Sequence, residues 1–133
     1  MDIMVAVDPS SESQNALVSA IDIVESLGGR LVVVHVAEDS TTDPDAESIL
    51  DASEERARER DVPVETILLT GDPIEVIPEY AREIDADAIY LGHRGLSRSG
   101  EEFAGQSRGQ LGSVASGVME RSAIPVTVFD RGL

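Results

Sequence analysis

Apolar residues along this chain recur with two alternating periods, one of strands and one of helices. Ile3 to Val7 is a short continuous apolar run that stops at Asp8-Pro9. A polar, Ser-rich start then leads into a helical stripe of Ala16, Leu17, Ala20, Ile21, Val24 and Leu27, and Gly28-Gly29 closes it. Leu31 to Val36 is a β-branched run, 39–43 a polar loop, and Asp45 to Arg60 carries Ala46, Ile49, Leu50, Ser53 and Ala57 on one helical face. Val62 to Leu69 predicts a third strand. Asp72 and Pro73 supply an N-cap and a first-turn proline for a helix with Ile74, Ile77, Ala81 and Ile84 inward and Pro78 as a bend. Asp87 to Gly92 predicts a fourth strand, Gly109 to Arg121 a last helix, and Pro125 to Phe129 a fifth strand.

Strand and helix alternate without repeat or linker, and 133 residues suit one hydrophobic core, so the expectation is a single domain over 1–133. The layout is an α/β fold, one doubly wound five-stranded parallel sheet in the order 3-2-1-4-5 with helices on both faces. In such sheets ligands bind beyond the carboxyl ends of the strands where the order reverses. Here the reversal falls between strands 1 and 4. Asp8 ends the first and Gly92 the second, so a carboxylate able to accept from ribose hydroxyls faces a Gly-rich turn with open amides for phosphate. The segment after Gly92 is long for a connection and rich in Gly, Ser and Arg; connections of that length are usually functional or disordered, which makes 93–108 the place to look.

Composition narrows the chemistry. There is no Cys and no Lys, and only two His are present, so thiolate metal sites, cysteine nucleophiles and a dedicated transition-metal site are not expected. His35, inside an apolar strand, reads as a packed residue. The formal charge is −16, from 26 acids against ten Arg. Such a surface repels itself and needs screening, which molar salt provides over about 3 Å; its acidity without Lys resembles the proteins of salt-accumulating archaea. Nucleic acid and anionic membranes are poor partners for it. The charge is uneven, however: residues 1–91 hold 22 acids and five Arg, whereas 92–133 hold four acids and five Arg. An anion would bind in the second stretch. With no basic leader or membrane-length apolar run, the expected location is the cytoplasm.

Gly92-His93-Arg94-Gly95, followed after a spacer by Gly112-Ser113 and then by Pro125-Val126, resembles the universal stress protein family, and with Asp8 closing strand 1 the resemblance covers essentially the whole chain. It implies a Rossmann-like fold of the adenine-nucleotide α-hydrolase type and a stress-response role with ATP or AMP bound. In the nucleotide-binding members nine residues separate the G-x-x-G from the G-S; here sixteen separate Gly95 from Gly112, which places seven extra residues within 96–111. Carried over residue by residue, Gly92, Gly95 and Arg94 would lie along the phosphates and ribose. Gly112, Ser113 and Val114 would form a helix-terminal phosphate cradle. Asp8 would hold the ribose, with Val7, Val36 and Leu91 beside the nucleotide, and Mg²⁺ would arrive with a triphosphate. The resemblance also implies a homodimer through the last strand, Val126, Thr127, Val128 and Phe129, a sheet edge open to pairing.

Related layouts are set aside on particular residues. A receiver domain needs an acceptor Asp after strand 3 and a Lys after strand 5, but strand 3 runs out through Leu69-Thr70-Gly71 and Lys is absent. A flavodoxin needs a Thr- and Gly-rich loop where this chain has Asp8-Pro9-Ser10-Ser11-Glu12, and no P-loop motif is present. No acid–base pair or activated nucleophile is evident, so at most slow nucleotide hydrolysis is expected. Two non-enzymatic readings stand beside it: a regulatory nucleotide-binding protein, and a dimeric interaction module whose 96–111 insertion fills the crevice.

Overall fold

The structure, a computed structural model, describes residues 1–37, 45–93 and 112–130. Nine elements follow in order: β1 (Asp2–Ala6), α1 (Ser11–Leu27), β2 (Arg30–Ala37), α2 (Ala46–Glu59), β3 (Val64–Thr70), α3 (Pro73–Glu83), β4 (Ala88–Gly92), α4 (Ser113–Arg121) and β5 (Val126–Phe129). The five strands form one parallel sheet in the order β3-β2-β1-β4-β5. That is the architecture the alternating periods predict.

Each face of the sheet buries its own apolar cluster. Even-numbered residues of β1 and β2, Met4, Ala6, Val32 and Val34, join Ile74 and Ile77 of α3 and Val114 and Val118 of α4. The odd-numbered Ile3, Val5, Leu31 and Val33 meet Leu17, Ile21 and Val24 of α1 and Leu50 and Ala57 of α2. Strands buried on both sides explain why β1 and β2 read as unbroken apolar runs rather than alternating ones. Gly117 lets α4 approach α3, since a Cβ there would stand 2.7 Å from Ile74 Cδ1.

Local signals account for most boundaries. Asp72 caps α3 by accepting from Ile74 N at 3.0 Å, with Pro73 at the first turn, and α3 continues through Pro78. Gly28 closes α1, its N–H bonding back to Val24 O. Three expectations need correction. β3 begins at Val64, not Val62, because the Val62 N–H turns back to Ala57 O and Pro63 has no N–H to give a ladder. Leu27 is 67% exposed, because it sits at the last position of α1, where the chain turns away. The last helix begins at Ser113, with 109–111 outside the described residues. Among the described residues no helix is long and apolar enough to cross a membrane.

Candidate functional site

The order of strands reverses between β1 and β4, which pair in register through Ile3↔Ala88, Met4↔Ile89 and Val5↔Tyr90. Continuing that register sets Val7 opposite Gly92, so Asp8 and the end of β4 lie at one rim of the sheet. Asp8 is only 5% exposed. Its Oδ1 accepts from Ser10 N at 2.9 Å and from Ser10 Oγ, an Asx turn that leads into α1. Ser10, not Asp8, is the N-cap residue, accepting from Ser13 N. The second carboxylate oxygen of Asp8, Oδ2, is buried and has no hydrogen-bond donor among the described residues. A buried acceptor left in that state costs about 1–3 kcal/mol, and a hydroxyl donor would relieve it.

The main chain of Asp8 is held as firmly as its carboxylate. Ser13 Oγ accepts from Asp8 N at 2.8 Å and donates to Asp8 O at 3.2 Å. Gln14 Nε2 donates to the same carbonyl at 3.3 Å, while Gln14 Oε1 accepts from Arg56 Nη1 of α2 at 2.9 Å. One residue earlier, Val7 N donates to Val34 O, and Val7 O lies 2.8 Å from Nδ1 of the buried His35. His35 is a packed crevice residue, as its place in an apolar strand suggests.

Gly92 has a packing role at the end of β4. A Cβ at this position would stand 2.8 Å from Ser13 N and 3.0 Å from Glu12 Cβ, so the missing side chain makes room for the first turn of α1. On the far side of the 94–111 segment, Gly112 N donates to His93 O at 3.0 Å, and His93 N donates to Phe129 O. The described residues on either side of 94–111 are therefore hydrogen-bonded to each other. This bond also occupies the Gly112 amide, which the family pattern would aim at phosphate. The first intrahelical donor of α4 is Ser116 N, to Gly112 O, so the amides of Val114 and Ala115 precede it at the positive end of the helix.

The structure thus brings Val7, Asp8, Gly92, Gly112, Ser113 and Val114 to the carboxyl rim of β1 and β4. The side chains of Val7, Leu91 and Val114 are buried in the two cores, and Val36 packs partly against one of them; from Val7, Leu91 and Val114 only the backbone is on offer. Arg94, Gly95 and the 96–111 insertion lie outside the described residues. Ser10, Ser13 and Gln14 were not singled out from the sequence, although Asp-x-Ser-x-x-Ser ahead of an apolar stripe is a helix-start signature that points at them. In β5, Val126, Val128 and Phe129 are partly buried and Thr127 is exposed. Ile89 N donates to Pro125 O and His93 N to Phe129 O. In a parallel ladder this turns the N–H and C=O of Val126 and Val128 outward.

Comparison with known proteins agrees with this fold. The model of the universal stress protein family matches residues 1–130. The universal stress protein YxiE of Bacillus subtilis (strain 168) is 26% identical, over 94% of this chain and 95% of its own. A universal stress protein from Archaeoglobus fulgidus, solved in complex with dAMP, is 28% identical, with 97% of each chain covered and a TM-score of 0.77. One from Arabidopsis thaliana, solved with AMP bound, shares the fold at 21% identity and a TM-score of 0.74, over 99% of this chain and 92% of that one. The strand order and the family match over residues 1–130 agree: this chain belongs to the universal stress protein family.

Proposed function

We propose that this protein binds an adenine nucleotide, ATP or AMP, in the crevice between the ends of β1 and β4, and that it works as a regulatory stress-response protein rather than through turnover. The observation that carries the reading is the buried Asp8 carboxylate, with one oxygen saturated by Ser10 and the other without a donor among the described residues. A ribose hydroxyl supplies what Oδ2 lacks. The amides that open α4, in the 92–133 stretch where Arg balances the acids, suit the phosphates. The dAMP complex of the 28%-identical relative supports the ligand class. Mg²⁺ enters on the phosphate oxygens of a triphosphate. Arg94 and Gly95 complete the phosphate side, and β5 pairs with its copy in a two-fold homodimer.

Titration calorimetry with ATP and Mg²⁺ in about 2 M KCl, where the acidic surface is screened, tests the reading. The expected affinity is roughly micromolar, about −8 kcal/mol, with negligible phosphate release. Gly112→Val should abolish binding by setting a branched side chain before the α4 amides; φ −63° and ψ 159° at this position suit any residue. Absence of heat up to about millimolar ATP, a free energy of only about −4 kcal/mol, would instead favour a dimeric interaction module whose 96–111 insertion fills the crevice.

A further inference from the structure

We infer that Ser13 and Gly92 are positioning residues that together aim the Asp8 carboxylate, and so set how strongly the site selects a nucleotide by its sugar hydroxyls; this rests on the nucleotide reading above. Ser13 is fully buried, and its hydroxyl does nothing for its own helix. It spans the N–H and C=O of Asp8, at 2.8 and 3.2 Å, and pins the peptide units on either side of that residue. The Ser13 N–H meanwhile donates to Ser10 Oγ at 3.2 Å, and Ser10 Oγ donates to Asp8 Oδ1. A closed ring of bonds thus runs from the Asp8 backbone through Ser13 and Ser10 to the Asp8 carboxylate. With the backbone fixed and Oδ1 occupied, Oδ2 is left with a single orientation.

Gly92 sets where that ring sits. The first turn of α1 lies against the end of β4 so closely that a Cβ at Gly92 would stand 2.8 Å from Ser13 N and 3.1 Å from Glu12 C, both backbone atoms that cannot swing aside. Any side chain there moves the turn carrying Ser10 and Ser13, and Asp8 moves with it. An N-cap alone needs only Ser10, so neither the Ser13 hydroxyl bridge nor this approach is required to start the helix. Both are required to hold Oδ2 at one point relative to β4.

The test compares ATP with 2′,3′-dideoxy-ATP, which lacks both sugar hydroxyls, on wild type, Ser13→Ala and Gly92→Ala, with folding checked by thermal melts. Wild type should prefer ATP by at least about tenfold, the worth of a hydrogen bond to a charged acceptor. In Ser13→Ala the preference should shrink toward unity while dideoxy-ATP binding changes little, and Gly92→Ala should do the same. A purely structural role would weaken both ligands alike and keep the ratio, which overturns the inference; should Gly92→Ala fail to fold, Ser13→Ala alone decides. Equal affinities in wild type would also overturn it while leaving nucleotide binding intact. No binding of either nucleotide by wild type would remove the nucleotide reading itself.

Discussion

A carboxylate that is 5% exposed yet has one oxygen without a donor among the described residues is costly, and at Asp8 the cost falls beside three residues that hold the group still. Loss of the carboxylate should therefore harm the ligand more than the fold. In the ATP titration, Asp8→Ala is expected to weaken binding by about 1–3 kcal/mol while the protein remains folded. Asp8 was legible from sequence because its position, at the end of an apolar run in an alternating pattern, specifies the rim of the sheet. The packing role of Gly92 was not. A glycine ahead of Gly95 looks like a phosphate-loop residue, and only the fold shows that its empty side faces Glu12 and Ser13, some eighty residues earlier. Ser13 was illegible for a related reason: a serine in a first turn reads as a cap or a solvated residue, and its bridge to Asp8 depends on the angle at which α1 enters.

Among the elements, the strands and helices were readable because every one carries its own period and stop signal. Where boundaries moved, as at β3, a hydrogen bond from Val62 back to α2 outweighed the apolar pattern. The edge strand β5 shows what period alone leaves out. Val126 and Val128 are apolar because they cover the core on the α3 and α4 side, and what they present outward is their peptide groups. A charged residue at 128 would damage the core along with any interface. Val128→Pro removes one outward N–H and leaves the ladder to β4 intact, and proline is tolerated on edge strands. Sedimentation should show a dimer for wild type and a monomer for this variant. An unchanged coefficient for a folded Val128→Pro would count against pairing through β5.

At the scale of the whole molecule, the charge of −16 governs both stability and ligand access. A few local pairs work against it. Arg60, at the end of α2, binds Asp22 and Glu25 of α1 at 2.7 Å, and this contact holds the Glu25 carboxyl below its usual range. Salt weakens exposed pairs of this kind, yet it screens a far larger number of like charges. The net effect should be strong stabilisation, with the melting temperature rising steeply between about 0.1 and 2 M KCl; a flat response would remove the halophilic interpretation of the composition. The same screening would let the proposed nucleotide approach a protein that would otherwise repel it. The most direct test of the central claim is amide chemical-shift mapping with AMP in high salt. Binding at the proposed crevice predicts saturable shifts at Asp8, Ser10, Ser13, Gly92 and the Ser113–Ala115 amides, while residues remote from the rim, such as Asp22 and Glu25, stay in place. Saturable shifts confined to any other surface, or none at all, would contradict it.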